Sequence, residues 1–332
     1  MNKISPITWL LIVLFLVTVF VFSVARYSIR SVPETKVARY GITFSVIYTE
    51  KLGLDVQETY RALVEDIGVR MVRVPVPWSD VEFKQGTYNW DVYDWIVKYS
   101  EEQNVKLTLV VGEKVPRWPE CFVPDWAESI DKQYKDKYTR SFIKSVVDRY
   151  KYSPAIERWQ IENEPLFPFG ACATQISLEE LEERVDLVRS LDTRPIQLTV
   201  SGELGPWKEV AKLSDILGIS MYRKTWNDLY GYFVYPIGPD YYQLRALVVK
   251  EYVKKVIVSE LQAEPWFSEP FDSYSFEQAY NLFTQEHFQS NLDFVKKSGV
   301  SEASLWGAEW WYYLKTEGDD RLWNVAKDVF TK

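Results

Sequence analysis

Short apolar runs alternate with amphipathic segments along most of the chain, after a distinct N-terminal stretch. The runs are rich in Val, Ile, Leu and aromatic residues and have the length of buried strands. The segments between them repeat apolar residues at intervals of three and four, which is typical of helices. Residues 135–150 illustrate the helical spacing, with apolar side chains at Phe142, Ile143, Val146 and Val147. The pattern therefore predicts a regular alternation of strands and helices.

The predicted strands cover residues 40–45, 69–76, 105–112, 156–162, 195–201, 216–222, 255–260 and 303–307. The predicted helices cover residues 55–68, 91–104, 135–150, 177–191, 207–213, 241–253 and 276–298, with a last helix from residue 322. Asp55 is an expected N-cap and Gly68 an expected C-cap of the first of these helices.

Strands that alternate with helices imply a parallel sheet, and eight such pairs fit a closed (β/α)8 barrel. The rival is an open, doubly wound sheet, which usually carries a glycine-rich turn after its first strand. The stretch "TFSVIYTEKLG" that ends and follows the first predicted strand has no such turn. We therefore predict an α/β protein with a (β/α)8 barrel over residues 38–332.

The N-terminal stretch has a different character. Residues 4–25 include no charged side chain, and residues 7–24 are almost wholly aliphatic or aromatic. A helix of this length approaches the roughly 30 Å of a bilayer's hydrocarbon core. We predict a single transmembrane anchor or a signal peptide over residues 1–30, the uncleaved anchor being favoured although "SVA" at residues 23–25 has the spacing of a cleavage site. We predict that residues 31–37 form a linker. We also predict that the barrel is either secreted or held at the cell membrane, where it works outside the cytoplasm.

Composition narrows the chemistry. The chain is 47% hydrophobic and 26% charged, which is a globular composition. Its net charge of −8 argues against a nucleic-acid partner. With one histidine, His287, and only Cys121 and Cys172, metal sites built on several His or Cys side chains are excluded. The 14 Trp, 22 Tyr and 17 Phe suit sugar binding, because the faces of pyranose rings stack on indole rings.

Two predicted strands run directly into carboxylates. "WQIENEPLFP" (159–168) ends the fourth strand with Glu162, Asn163 and Glu164, and "VIVSELQAEPW" (256–266) ends the seventh with Glu260. In a barrel of this kind chemistry takes place at the C-terminal ends of the strands, so two such carboxylates can face each other across the mouth. Hydrolysis of a glycosidic bond needs a pair of this type. Glu264 is a weaker rival to Glu260, and Glu162 is expected to be structural.

These segments resemble those of the retaining glycoside hydrolases of clan A, which are (β/α)8 enzymes with glutamates on strands four and seven. "VRVPVPW" (72–78) is similar to the second strand of family-five cellulases, and "ENEP" (162–165) to the Asn-Glu pair of the clan. "VSEL" (258–261) is similar to the nucleophile segment of family-ten xylanases. "GISMY" (218–222) and "SLWG" (304–307) match the strand-six tyrosine and the strand-eight tryptophan.

The resemblance implies a role for each matching residue. Glu164 would be the acid/base and Glu260 the nucleophile. Asn163 would bind the substrate 2-hydroxyl, an interaction that strengthens in the transition state. Arg73 and Tyr222 would hydrogen-bond Glu260. Trp306 would form the floor of the sugar subsite.

The chain departs from family-five enzymes where those carry histidines, near the ends of strands three and six. Gly112, Glu113 and Lys114 stand in the first place and Ser220 in the second. The substrate therefore cannot be borrowed from a cellulase.

The loops that follow the strands are aromatic and charged. The candidate stacking platforms are Trp118, Trp226, Trp266, Trp310 and Trp311, and the candidate hydrogen-bonding groups are Lys114, Arg117, Glu120 and Glu309. The alternative is that these side chains pack within rigid loops. Cys121 follows strand three and Cys172 follows strand four. Because successive strands are neighbours in a barrel, these two loops should lie side by side, and an exported protein can keep such a pair as a disulfide. The alternative is two unrelated buried thiols.

The sequence thus predicts a membrane-anchored or secreted β-glycoside hydrolase that acts with retention on an oligo- or polysaccharide and needs no cofactor. One alternative is a barrel without catalytic activity that binds glycans at the cell surface. A transglycosylase, which uses the same covalent intermediate with another acceptor, is a second.

Overall fold

The structure, a computed structural model, describes residues 5–30 and 37–331. The strands are β1 (Arg39–Thr43), β2 (Met71–Pro75), β3 (Lys106–Val111), β4 (Ile156–Ile161), β5 (Ile196–Ser201), β6 (Ile216–Met221), β7 (Lys224–Asn227), β8 (Gly231–Val234), β9 (Lys255–Gln262) and β10 (Glu302–Trp306). Eight of them form a closed parallel barrel in the order β1-β10-β9-β6-β5-β4-β3-β2, while β7 and β8 form a separate antiparallel hairpin. The predicted (β/α)8 barrel is confirmed.

Apart from α1, which precedes β1, the helices follow the barrel strands, as the sequence pattern predicts. They are α1 (Pro6–Arg30), α2 (Val46–Lys51), α3 (Val56–Glu65), α4 (Trp78–Val81), α5 (Asp91–Glu102), α6 (Asp125–Glu128), α7 (Lys132–Tyr150), α8 (Leu178–Leu191), α9 (Trp207–Ala211), α10 (Pro239–Val249), α11 (Phe276–Leu282), α12 (Gln285–Lys296), α13 (Ala308–Thr316) and α14 (Arg321–Phe330). A 3₁₀ turn covers Phe271–Ser273.

The strands are continuous apolar runs because a parallel sheet covered by helices is buried on both faces. All five residues of β2 and all six of β5 are buried. The helices cover the sheet with apolar faces, as α7 does with Phe142, Ile143 and Val146. Most of the core is one large cluster that runs around the barrel, and a small second cluster is formed by Val110, Val115 and Phe122.

Local hydrogen bonds decide where several helices begin. The Asp55 side chain accepts a hydrogen bond from the Glu58 amide and caps α3, as predicted. Ser177 and Glu180 form a reciprocal capping box at the start of α8. Thr284 and His287 form the same arrangement at the start of α12. This last cap divides the region predicted as one helix over residues 276–298 into α11 and α12, so that prediction was wrong.

Two further differences from the predicted elements lie at the barrel mouth. The aromatic segment after β6 contains the β7–β8 hairpin, and the segment after β10 contains α13; both segments had been predicted as loops.

The predicted N-terminal anchor is not confirmed. Within residues 5–30 and 37–331, no helix is both long enough and apolar enough to span a membrane. Residues 31–36 of the predicted linker lie outside the described residues.

Cys121 and Cys172 form a disulfide with their Cα atoms 5.3 Å apart, which confirms the predicted pairing. It joins the loop after β3 to the loop after β4, so it connects neighbouring walls of the barrel mouth.

We predict that replacing both cysteines, Cys121→Ser with Cys172→Ser, destabilises the fold. The bridge closes a sequence separation of 51 residues, for which the chain-entropy model gives about 4 kcal/mol of stabilisation. Denaturant unfolding followed by tryptophan fluorescence measures the change. Reduction of the unaltered protein should give a similar loss, and equal stability of the oxidised and reduced forms would contradict the prediction.

Candidate active site

The turn after β4 carries the proposed acid in an uncommon backbone conformation. Glu162 has φ +58° and Glu164 has φ +44°, values that non-glycine residues adopt at a cost of about 1–3 kcal/mol each. Hydrogen bonds hold this turn in place: the Asn163 amide donates to the Lys114 carbonyl over 2.6 Å, and the Glu164 amide donates to Thr199 Oγ1 over 2.9 Å. Because of this turn, the side chains of Asn163 and Glu164 point in directions that they would not have in a continuing strand.

Glu260 is aimed by an irregularity in β9. The register of β6 against β9 shifts between Ile219 and Ser220, so that Ile219 pairs with Val258 and Ser220 with Glu260. Ser259 is the extra residue, and a bulge of this kind changes the face to which the next side chain points. The register of β10 against β9 shifts at the same level. The strand pattern alone could not have shown this change.

Glu260 lies in a cationic, hydrogen-bonded environment. Arg73 Nη1 donates to Glu260 Oε1 over 2.8 Å, and the Tyr222 hydroxyl donates to Oε2 over 2.9 Å. A neighbouring cation and hydrogen-bond donors both favour the ionised carboxylate. The structure thus brings together Arg73, Tyr222 and Glu260 as the sequence predicted.

Glu164 lies in a different environment. Burial, with a smaller contribution from the nearby charge of Glu260, raises the pKa of Glu164 to about 7. The Ser220 hydroxyl, which donates to Glu164 Oε1 over 2.5 Å, and the Lys114 ammonium act in the opposite direction. One carboxyl bound by a cation and a phenol, and a second with a raised pKa, form the asymmetric pair that acid–base chemistry at neutral pH requires.

Glu162, by contrast, belongs to the barrel wall. It is fully buried and accepts hydrogen bonds from Arg184 Nη1 over 2.6 Å and from the Lys114 amide over 2.7 Å. A Cβ at Gly112 would lie 2.1 Å from Glu162 Oε1, so glycine is needed there to make room for the carboxylate. This position agrees with the predicted structural role.

A buried charge cluster surrounds Arg117 beside the site. The guanidinium carbon lies 3.9 Å from the Tyr48 ring centroid and 4.1 Å from that of Trp306. The same group pairs with Glu264 and, over 2.8 Å, with Glu309. Glu264 thus pairs with Arg117, whereas Glu260 is bound by Arg73 and Tyr222.

Glu309 and Trp310, which were predicted to contact substrate, are buried in the structure and cannot reach a sugar. Glu309 is completely buried and also accepts a hydrogen bond from the Ser45 amide, so its carboxylate is not open to a sugar. Trp310 is buried against Phe267 and Phe271 and packs in the wall rather than forming a platform. Trp306 remains a candidate floor, with Arg117 against one face of its ring.

A row of aromatic rings leads from the surface to Glu260. Trp118 is 66% exposed, and its ring centroid is 6.1 Å from that of Phe169. Phe169 is 6.0 Å from Trp266, which is 5.3 Å from Tyr222, the hydrogen-bond partner of Glu260. The predicted platforms Trp118 and Trp266 therefore lie in one row. Phe169 was not foreseen, because its place depends on the disulfide-linked loop.

In the part of the chain that the structure describes, no group of three or more His, Cys, Asp or Glu side chains is arranged to hold a metal ion. The functional groups of the site are carboxyl, amide, hydroxyl, guanidinium and ammonium groups.

Comparison with known proteins relates the first half of the chain to a glycoside hydrolase family. The family model "Glycosyl hydrolase family 10" matches residues 35–180, just under half of the chain, and includes Glu164 but not Glu260. The β-galactosidase BgaA of Clostridium cellulovorans is 22% identical over 194 residues, which are 52% of this chain and 29% of that protein. The chain thus spans less than a third of this curated relative.

Solved structures are similar in fold. The β-galactosidase of the psychrophilic Marinomonas ef1 superposes with a TM-score of 0.58 at 12% identity, covering 88% of this chain and 59% of that one. The family 10 endo-β-1,4-xylanase of Gloeophyllum trabeum gives a TM-score of 0.54 at 14% identity, covering 80% of this chain and 82% of that one. The family match and the closed barrel together agree with a glycoside hydrolase.

We predict that Ser220→Ala shifts the alkaline limb of the pH profile of kcat/KM upward by about 0.5–1 pH unit. The Ser220 hydroxyl stabilises ionised Glu164, so its loss raises the pKa of that carboxyl and keeps the acid protonated to higher pH. The profile should be measured on a glycoside whose leaving group requires protonation.

Ser259→Ala is the matched control, because its buried hydroxyl donates to the Ile219 carbonyl and not to a carboxylate. An unchanged or lowered limb in Ser220→Ala would contradict the assignment of Glu164 as the acid.

Proposed function

We propose that this chain is a β-glycoside hydrolase that cleaves O-glycosidic bonds of an oligo- or polysaccharide with retention. The observation that carries the proposal is the contrast between two neighbouring carboxyls: Glu260 is bound by Arg73 and Tyr222, and the pKa of Glu164 is raised to about 7. A retaining mechanism needs one ionised nucleophile and one protonated acid close together.

Each step of the proposed mechanism has a group to perform it. Glu164 protonates the glycosidic oxygen while Glu260 attacks the anomeric carbon, and a covalent glycosyl-enzyme forms as the leaving group departs. Glu164, now ionised, then removes a proton from water, which displaces Glu260 from the sugar and restores both carboxyls. Asn163 binds the 2-hydroxyl of the sugar at this centre.

The aromatic row from Trp118 to Tyr222 supports a role in sugar binding. Rings spaced 5.3 to 6.1 Å apart along the mouth offer successive apolar surfaces to a glycan. We propose that Trp118 and Trp266 stack on sugar units next to the scissile bond and that Trp306 forms the floor beneath it.

We predict that Glu260→Ala abolishes turnover of every glycoside, because no covalent intermediate can form. Glu164→Ala should lower kcat/KM by about 100-fold or more on substrates with poor leaving groups. It should retain much of kcat/KM, which reports the first step, on dinitrophenyl glycosides, because dinitrophenolate departs without protonation. Steady-state kinetics on the two kinds of aryl β-glycoside measure this difference.

Glu162→Gln is the matched control from the same turn. The part of this variant that folds should keep its catalytic activity on both substrates. Equal loss by Glu164→Ala on both substrates would contradict the acid/base role. NMR of the first-formed product should show the β-anomer; the α-anomer would indicate inversion, with carboxyls about 6.5–9.5 Å apart rather than about 5–5.5 Å. Glycan binding without turnover by the unaltered protein would favour the non-catalytic alternative.

We also propose that the barrel works outside the cytoplasm and that the uncharged N-terminal segment exports it and holds it at the membrane. The Cys121–Cys172 disulfide supports the location, because such bridges persist in oxidising compartments. Membrane attachment rests on the uncharged run of residues 4–25 alone.

We predict that the full chain, expressed in a bacterium, is cleaved by protease added to spheroplasts with intact inner membranes and sediments with that membrane. Deletion of residues 1–30 should leave the protein inside the cell with two free thiols, measured by alkylation. Protection of the full chain from the protease would contradict export, and its release into the soluble fraction would contradict anchoring.

A further inference from the structure

A third carboxyl, that of Glu120, lies at the centre of the site. Asn163 Nδ2 donates to Glu120 Oε2 over 3.0 Å, and the Glu120 residue is only 6% exposed. Glu120 interacts electrostatically with Glu260, Glu164 and Lys114. It therefore belongs to the proposed reaction centre, although it is carried by neither strand of the catalytic pair.

Glu120 is held there by the conformation of residues 113–121, which we call the acid loop. The loop closes on itself through hydrogen bonds from the Val115 amide to the Glu120 carbonyl, 2.8 Å, and from the Phe122 amide to the Glu113 carbonyl, 2.8 Å. Arg117 has φ +92° and Glu120 has φ +73°. These values lie in a backbone region that is costly for residues other than glycine. Such strain persists only where the surroundings enforce it.

The loop after β4 supplies that enforcement. The Ala171 amide donates to the Pro119 carbonyl over 2.9 Å, and the disulfide joins Cys121 to Cys172. A Cβ at Gly170 would lie 2.6 Å from the Glu120 Cβ, so glycine at this position allows the two loops to approach. The carboxyl of Glu120 is thus fixed against Asn163 from both sides.

The orientation of the Asn163 amide is also fixed. Arg73 Nη2 donates to Asn163 Oδ1 over 2.7 Å, and a guanidinium can only donate, so the oxygen must lie on that side. The Nδ2 hydrogens consequently face Glu120. The amide donor that the proposed mechanism directs to the sugar 2-hydroxyl is therefore shared with Glu120.

The carboxyl of Glu120 can take part in that contact in either protonation state. Burial, followed by the charge of Glu260, raises the pKa of Glu120 to about 8. A protonated carboxyl both donates and accepts hydrogen bonds, and an ionised one accepts from a hydroxyl. A hydroxyl placed beside both groups could accept the second Nδ2 hydrogen of Asn163 and exchange a hydrogen bond with the Glu120 carboxyl, so it would have partners for its proton and for its lone pairs.

Resting on the proposed function, we propose that Glu120 is a specificity-determining residue that binds the sugar 2-hydroxyl together with Asn163, so that the substrate is a glycoside with a free 2-hydroxyl. Sugars without that hydroxyl leave Asn163 and Glu120 paired to each other and gain nothing from the contact. Because such contacts strengthen in the transition state, the effect appears in kcat/KM.

The test compares an aryl β-glycoside of whichever sugar the unaltered protein accepts with its 2-deoxy counterpart. Glu120→Ala should lower kcat/KM by about tenfold to a hundredfold on the 2-hydroxy substrate and by less than about threefold on the 2-deoxy one. Glu120→Gln, which keeps a donor and an acceptor, should restore most of the preference. Comparing the ratio of the two substrates between variants cancels the intrinsic lability of 2-deoxy glycosides.

Glu128→Ala, at an exposed position on the next helix, is the control and should leave the ratio unchanged. Equal losses on both substrates would make Glu120 merely structural, and a gain on the 2-hydroxy substrate would show that it competes with the sugar; either result overturns the inference. If the unaltered protein turns over neither substrate, or Glu260→Ala is as active as the unaltered protein, the proposed function fails and the inference with it.

Discussion

The buried guanidinium of Arg73 is the interaction on which the site depends. From β2 it reaches Glu260 on β9 over 2.8 Å, and Asn163 and Gln160 at β4 over 2.7 Å each. Its charge is taken out of water and is compensated chiefly by Glu260, so removing either partner would leave a buried charge unpaired. One side chain therefore fixes the ionised carboxylate, the direction of the Asn163 amide and the spacing of three strands. The rest of the mouth is arranged around this fixed centre.

The two catalytic candidates differ because their surroundings differ, not because their residue types do. Glu260 has a cation and a phenol as partners, whereas Glu164 has a serine hydroxyl, a carbonyl-bound Lys114 and a neighbouring negative charge. The left-handed backbone at Glu162, Glu164 and Glu120 shows that the local conformation is strained where the carboxyls are gathered. The disulfide and the turn hydrogen bonds hold these residues in the strained conformation. The stability of the barrel offsets the free-energy cost.

The sequence was sufficient for the barrel and for a prediction of the two carboxylates, because both depend on local signals. Apolar runs mark buried strands; Glu164 lies three residues after β4 ends at Ile161, and Glu260 lies two residues before β9 ends at Gln262. It was insufficient wherever a contact between distant segments decides the result. The bulge at Ser259 depends on the neighbours of β9, and the burial of Glu309 depends on Arg117, a residue 192 positions away. Glu120 could be predicted as a hydrogen-bonding group of a charged loop, but its place against Asn163 could not, since that follows from the disulfide and from Gly170.

The cluster around Arg117 has a consequence for the order in which the molecule becomes functional. Arg117 follows β3, yet its partners Glu264, Trp306 and Glu309 belong to the last quarter of the chain. A nascent chain that has left the ribosome only as far as β9 already contains Glu164 and Glu260, but its Arg117 lacks the Trp306 ring and both of its carboxylate partners. Burial of this cation is unfavourable until these partners are present. Assembly of the catalytic mouth is therefore coupled to synthesis of the closing strand, and an incomplete chain cannot act on a glycan before its barrel has closed.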